Sequence, residues 1–237
     1  MMFTNAITKE VNMSDSRATM ISLGGHLGTW QGIGWTIVGN SEGSTVIGTG
    51  EILGLAGITA SALLTNRFDF STGHAELTSS GLPWGAWFGM VLGGMAKMNG
   101  DNILRSMLLG SDVMVLGTAL AAKNVQMSKT RVRLINMAGA LGAVFGFGVN
   151  LLFEVDDASA AFAIAGASSI AGLIIGRNMT RNFDKGKEVT LLKLKKNFAY
   201  KNGNGGKRFM ISPKLSLLQY PVERNRYIPA AGLQFDF

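Results

Sequence analysis

The sequence predicts an all-α membrane protein: six transmembrane helices arranged as three repeated glycine-zipper hairpins of about 57 residues each, followed by a short β-rich C-terminal tail. Three observations carry that expectation. Long stretches of the 237-residue chain lack charge, the charges between them are sorted by side, and small residues recur at a fixed offset.

The uncharged stretches come first. Residues 18–41, 77–96, 134–153 and 158–176 carry no Asp, Glu, Lys or Arg, residues 43–66 carry only Glu51, and residues 102–122 carry Arg105 and Asp112. About 20 weakly polar residues suffice for a helix to cross the hydrocarbon core. These stretches are rich in Gly, Ala and Ser rather than Leu. In a soluble bundle each interior glycine would cost about 1 kcal/mol of helix propensity. Membrane helices use glycine where two backbones approach closely.

Loop charge points the same way. Six spans would put Lys9, Arg17, Arg67, Lys123, Lys129, Arg131, Arg133, Arg177 and Arg181 on one side. The other side would hold only Lys97 and Arg105, beside Glu42, Asp101, Glu154, Asp156 and Asp157. Such a bias is the mark of a positive-inside membrane protein, and a soluble bundle has no reason for it.

The repeat defines the units. Gly24, Gly28 and Gly32 reappear as Gly81, Gly85 and Gly89, extended by Gly93, and at the same offset again as Ala138, Gly142 and Gly146. Trp30 and Trp87 keep that offset too. A spacing of four places each set on one helical face. The second helix of each pair carries another stripe, in steps of seven: Gly43, Gly50 and Gly57; Gly110 and Gly117; Ala158, Ala165 and Gly172. The expected organisation is a polar segment over 1–17, a membrane domain over 18–183 with hairpins near 18–66, 76–123 and 133–181, and a basic tail over 184–237. With two small-residue stripes available, one is expected to close the hairpin and the other to join subunits of a homo-oligomer.

The tail changes character. Val189–Tyr200, Lys207–Tyr220 and Ala230–Phe237 read as strands, separated by the Asn202–Gly206 turn and by prolines 221 and 229. The tail carries the whole net charge of +7, and its basic clusters favour anionic lipid head groups over nucleic acid. Residues 1–17 lack the basic-then-apolar pattern of a cleaved signal.

Few residues offer chemistry. There is no cysteine and only two histidines, so neither thiolate metal sites nor a histidine-based centre is expected. Gly48–Gly54 (GTGEILG) approximates a dinucleotide fingerprint, but no strand precedes it. No P-loop, HExxH or G-x-S-x-G element occurs, and neither a catalytic set nor a cofactor is expected. Glu51, Arg105 and Asp112 are ionisable groups within the apolar stretches, and His26 lies inside the first zipper. Such groups usually face a protein interior, a partner or a water-filled cavity. Of the four tryptophans, Trp84 and Trp87 near the start of the third helix fit an interfacial belt, whereas Trp30 and Trp35 lie deeper and are expected to pack against glycines.

Residues 20–180 resemble the glycine-zipper membrane proteins of bacterial envelopes, on the strength of those three zippers. The resemblance is to a motif class and transfers no active site. It implies a non-enzymatic, homo-oligomeric structural protein in contact with membrane lipids, enclosing a pore or a lipid patch. The alternative is a channel or transporter for a small ion or solute, using Glu51, Asp112 and Arg105.

Overall fold

The computed structural model describes residues 13–66, 70–123 and 125–184, and the backbone of 214–223 and 226–234. The chain divides into two units, Met1–Lys187 and Glu188–Phe237. The described residues of the first form six long helices: α1 (Asp15–Val38), α2 (Gly43–Thr65), α3 (Thr72–Met95), α4 (Gly100–Ala122), α5 (Lys129–Leu152) and α6 (Ala158–Met179). No strand occurs among its described residues.

The odd helices keep the repeat offset at both ends: Asp15, Thr72 and Lys129 open them, and Val38, Met95 and Leu152 close them. Local chemistry sets these limits. Ser14, Ser71 and Ser128 stand just before the odd helices, and each side chain accepts the N–H three residues on, satisfying one orphan donor of the first turn. Asn99 and Asp157 do the same for α4 and α6. These caps lie upstream of the uncharged stretches, so α3 and α5 start earlier than charge alone indicates, taking His74, Glu76, Arg131 and Arg133 into their first two turns. At the other end Asn40, Lys97 and Glu154 adopt positive φ of 53°, 53° and 48°. The next N–H in each case returns to a carbonyl of the last turn (Ser41 to Thr36, Met98 to Gly93, Val155 to Asn150), closing each odd helix in a left-handed cap.

The expectation of six transmembrane helices is corrected. Among the described residues four helices, α2, α4, α5 and α6, are long and apolar enough to cross a membrane, and the chain is accordingly a membrane protein. Weakly polar residues account for the exclusion of α1 and α3 even in their charge-free parts: His26, Gln31, Trp30, Trp35 and the glycines in the first, Thr78, Ser79, Ser80, Pro83, Trp84, Trp87 and the glycines in the second. These two helices do most of the packing between hairpins. α3 buries ten residues, against three each in α2, α4 and α5. The four apolar helices turn large side chains outward, among them Ile52, Leu55, Val113, Leu116, Leu141 and Ile174.

Within each hairpin the two helices meet backbone to backbone. A Cβ placed on Gly24 would lie 2.5 Å from the Gly57 carbonyl oxygen, and one on Gly32 would lie 3.0 Å from Gly50 Cα. Gly85 faces Gly110 and Ser111, Gly89 faces Ser106, Gly142 faces Ser168 and Gly172, and Gly172 faces Ala138. Both stripes are therefore spent on the same contact, the odd helix of each hairpin against its own even helix. The expected division into one internal and one intersubunit stripe does not hold, because each stripe is the other's partner. Gly43 and Gly117 belong to neither seam: both are exposed, with nothing within 4 Å of an added Cβ.

In the second unit, β1 (Lys214–Glu223) and β2 (Arg226–Gln234) pair antiparallel from Lys214↔Gln234 to Glu223↔Arg226, with a register shift between Pro221 and Glu223. The strand expected over 189–200, the turn over 202–206 and the terminal Phe235 and Phe237 lie outside the described residues.

Candidate functional site

Three places gather the polar groups of the helical unit: the seams between hairpins, a groove on the first hairpin and a cavity between the second and third. The seams are held by tryptophans. Trp30 Nε1 of α1 donates to Ser111 Oγ of α4 at 3.2 Å, and Trp87 Nε1 of α3 donates to Ser169 Oγ of α6 at 3.0 Å. Both serines are fully buried and also donate to carbonyls of their own helices, Met107 and Ala165. Trp84 Nε1 reaches Asn136 Oδ1 at 3.0 Å. The aromatic-belt expectation thus fails for Trp84 and Trp87, whose indole N–H groups are committed between helices, as is that of Trp30. Trp35 is 43% exposed and donates to Gln31.

The three charged residues expected to act together are used separately. Asp112 Oδ1 accepts from Gln31 Nε2 of α1 at 2.9 Å, and that amide also reaches the Leu108 carbonyl. Trp35, Gln31 and Asp112 form one hydrogen-bonded chain across the first seam. Arg105 is exposed and donates to Asn102 on its own helix. Glu51 is exposed on α2 and lines a groove of about 510 Å³ with His26, Ser22, Gly25, Gly54 and Leu55. Glu51 and His26, from different helices, therefore share one surface, while Asp112 and Arg105 do not line it.

The cavity, about 710 Å³, lies between the second and third hairpins. Its walls are largely apolar, with Leu77, Met114, Val132 and Leu173 among them, and Arg131 and Arg177 supply its cationic groups. Arg131 also pairs with Asp184 at 3.4 Å. Burial by itself would raise the Asp184 carboxyl. Hydrogen bonds from Ser128 and the Arg131 guanidinium outweigh it and hold the carboxyl below its usual range. Asp184 thereby ties the end of α6 to the start of α5. At the opposite end Lys97 Nζ pairs with Asp157 at 2.7 Å, and this bond, with that from the Ala160 N–H, lowers the Asp157 carboxyl.

Among the described residues no group of three or more His, Asp and Glu is placed to hold a metal ion. Sequence reasoning missed Ser111, Ser169, Gln31 and Asn136. A signal for two of them was present: the step from Ser111 to Ser169 is only one longer than the step from Trp30 to Trp87. No protein-family model matches the chain, and no curated protein or solved structure matches it.

Proposed function

We propose that this chain is a non-enzymatic structural membrane protein that assembles with copies of itself in a bacterial envelope, built as three copies of one helical hairpin. The observation that carries the reading is the use of the polar groups inside the helices. Trp30–Ser111, Trp87–Ser169, Trp84–Asn136 and Gln31–Asp112 join hairpin to hairpin, while apolar side chains cover the outer faces of α2, α4, α5 and α6. Polar groups bonded across helix seams serve cohesion, and an apolar exterior serves contact with lipid or with another subunit. Hairpin bounds that repeat at a constant offset, with equivalent caps, support descent of the three hairpins from one unit. The end carrying Arg17, Lys123, Arg131, Arg133, Arg177 and Arg181 then faces the cytoplasm.

One observation favours the second reading, a channel or transporter: Glu51 and His26 line an open groove. Reconstitution into liposomes decides between the two. The structural reading expects oligomeric particles in tight liposomes, with leak unchanged by Glu51→Gln or Asp112→Asn. Ion or solute flux abolished by either substitution would replace it with the transport reading.

A further inference from the structure

Two contacts of the seam between the first and second hairpins recur at equivalent positions between the second and third. The Trp30–Ser111 bond of the first seam is the Trp87–Ser169 bond of the second. Four residues along the odd helix, Gly34 receives the side chain of Leu108, and at the same place Val91 covers Gly166. The large and small partners have changed sides while the position has stayed. At these contacts hairpin two sits against hairpin one as hairpin three sits against hairpin two.

Applied once more, the relation finds no partner within the chain. On α5 the positions of Trp84, Trp87, Phe88 and Gly94 are taken by Leu141, Val144, Phe145 and Leu151, which are 64%, 67%, 69% and 80% exposed. The position of Gly34 and Val91 is taken by Gly148, where nothing lies within 4 Å of an added Cβ. On hairpin one the receiving positions are Gly25, Glu51, Gly54 and Leu55, and all four line the groove described above. Ile47, one turn before Glu51 and 63% exposed, takes the place of Phe162. A closing threefold would have brought α5 back onto α1. These helices do meet at their N-terminal ends, where Asp15 and Lys129, equivalent positions of the repeat, form an ion pair of 3.6 Å, but the α5 face beyond it stays open.

We propose that a second copy of this chain seats its α5 in the groove between α1 and α2, head to tail, continuing the relation that joins the hairpins inside one chain. The inference rests on the homo-oligomeric reading above and assigns its interface. The sizes fit: Leu141 meets Gly25 as Trp84 meets Gly139, and Gly148 meets Glu51 as Gly34 meets Leu108. The contact is heterologous, so it generates a ring or an open row. The glycine stripes, used inside the hairpins, have no part in it.

The absence of cysteine makes the test direct. Two differently tagged copies, Glu51→Cys and Gly148→Cys, are co-expressed in membranes and treated with a short bismaleimide. The expected product is a mixed dimer, at least tenfold above that from either variant alone and above that from Leu63→Cys paired with Gly148→Cys. Gly148→Trp is expected to reduce the native mass to one protomer with unchanged helicity and melting. A native mass of several protomers without the mixed link would overturn this interface and leave the oligomeric reading standing. A native mass of one protomer in wild-type nanodiscs would overturn both. A link formed within single chains of the Glu51→Cys/Gly148→Cys double variant, without dimers, would show that the chain closes on itself and overturn the interface. Labelling of Glu51→Cys by a lipid-soluble maleimide in the intact assembly would assign the groove to acyl chains and overturn it likewise.

Discussion

Gly85→Ala tests whether backbone approach inside the hairpins holds the fold. A Cβ on Gly85 would lie 2.5 Å from Ser111 Cα and closer still to the Gly110 carbonyl. Carbon atoms prefer separations of about 3.5–4.0 Å. The two helices must therefore part locally by about 1 Å to restore that spacing, and neither obstacle is a side chain that could turn aside. Overfilling a packed site costs about 1–3 kcal/mol. Removing a glycine from a helix interior returns up to about 1 kcal/mol in propensity. The clash is with backbone, which places the cost in the upper part of its range and the net loss at about 1–2 kcal/mol. For a unit of this size that corresponds to a fall of about 2–8 °C in melting temperature. Gly117→Ala is the matched control, since it changes the same atoms on an exposed face of α4. It is expected to be neutral or to raise the melting temperature. Thermal unfolding of both variants in detergent, followed by circular dichroism, gives the comparison. Equal shifts of the two variants in either direction would refute the argument, because propensity alone would then account for both.

Other outcomes follow from the seams and the loops. Trp87→Phe removes the 3.0 Å bond to Ser169 but keeps most of the ring, and it should cost about 0.5–1.5 kcal/mol in a chemical or thermal melt. Trp30→Phe should act alike at the other seam. Glu154→Gly should stabilise the chain by about 1 kcal/mol, since the residue sits at a φ of 48° that side chains resist; a lower melting temperature would contradict this. Asp184 has a carboxyl pKa lower in the folded chain than in the unfolded one, so the unfolded chain binds more protons in the window between the two values. Its contribution is complete above the unfolded value of about 3.9 and is lost as pH falls through the folded value. Melting temperatures taken across that acid range should fall less steeply with acid in Asp184→Asn than in the wild type.

Much of the helical unit was legible in the sequence because membrane solvent imposes simple demands. Charge-free runs located six helices, and small residues four apart marked the faces that touch. What those faces touch was not legible, because a stripe records close approach and carries no label for its partner. The two stripes looked like separate surfaces, yet Gly24 and Gly57, or Gly85 and Gly110, are two sides of one contact. Absence of charge also overstated the number of membrane-capable helices. In α1 and α3 the hydroxyl, amide and indole groups lower hydropathy, and Gln31, Trp30, Trp84 and Trp87 show why they are there: each bonds to a neighbouring helix. Of the polar residues singled out, Asp112 was read for its charge, whereas its partner Gln31 lies far off in the chain and gave no periodic sign.

The backbone contact within each hairpin has a mechanical consequence. Glycine faces bring backbone against backbone along much of each pair, with few side chains such as Ile33, Thr29 and Thr118 between the helices, so each hairpin behaves as a stiff plank. The seams between planks are filled by indoles, leucines and valines, which can change rotamer. Compliance in this protein is thereby confined to the lines between hairpins, and bending of the surrounding bilayer would be taken up there, by small changes of angle between planks that themselves keep their shape.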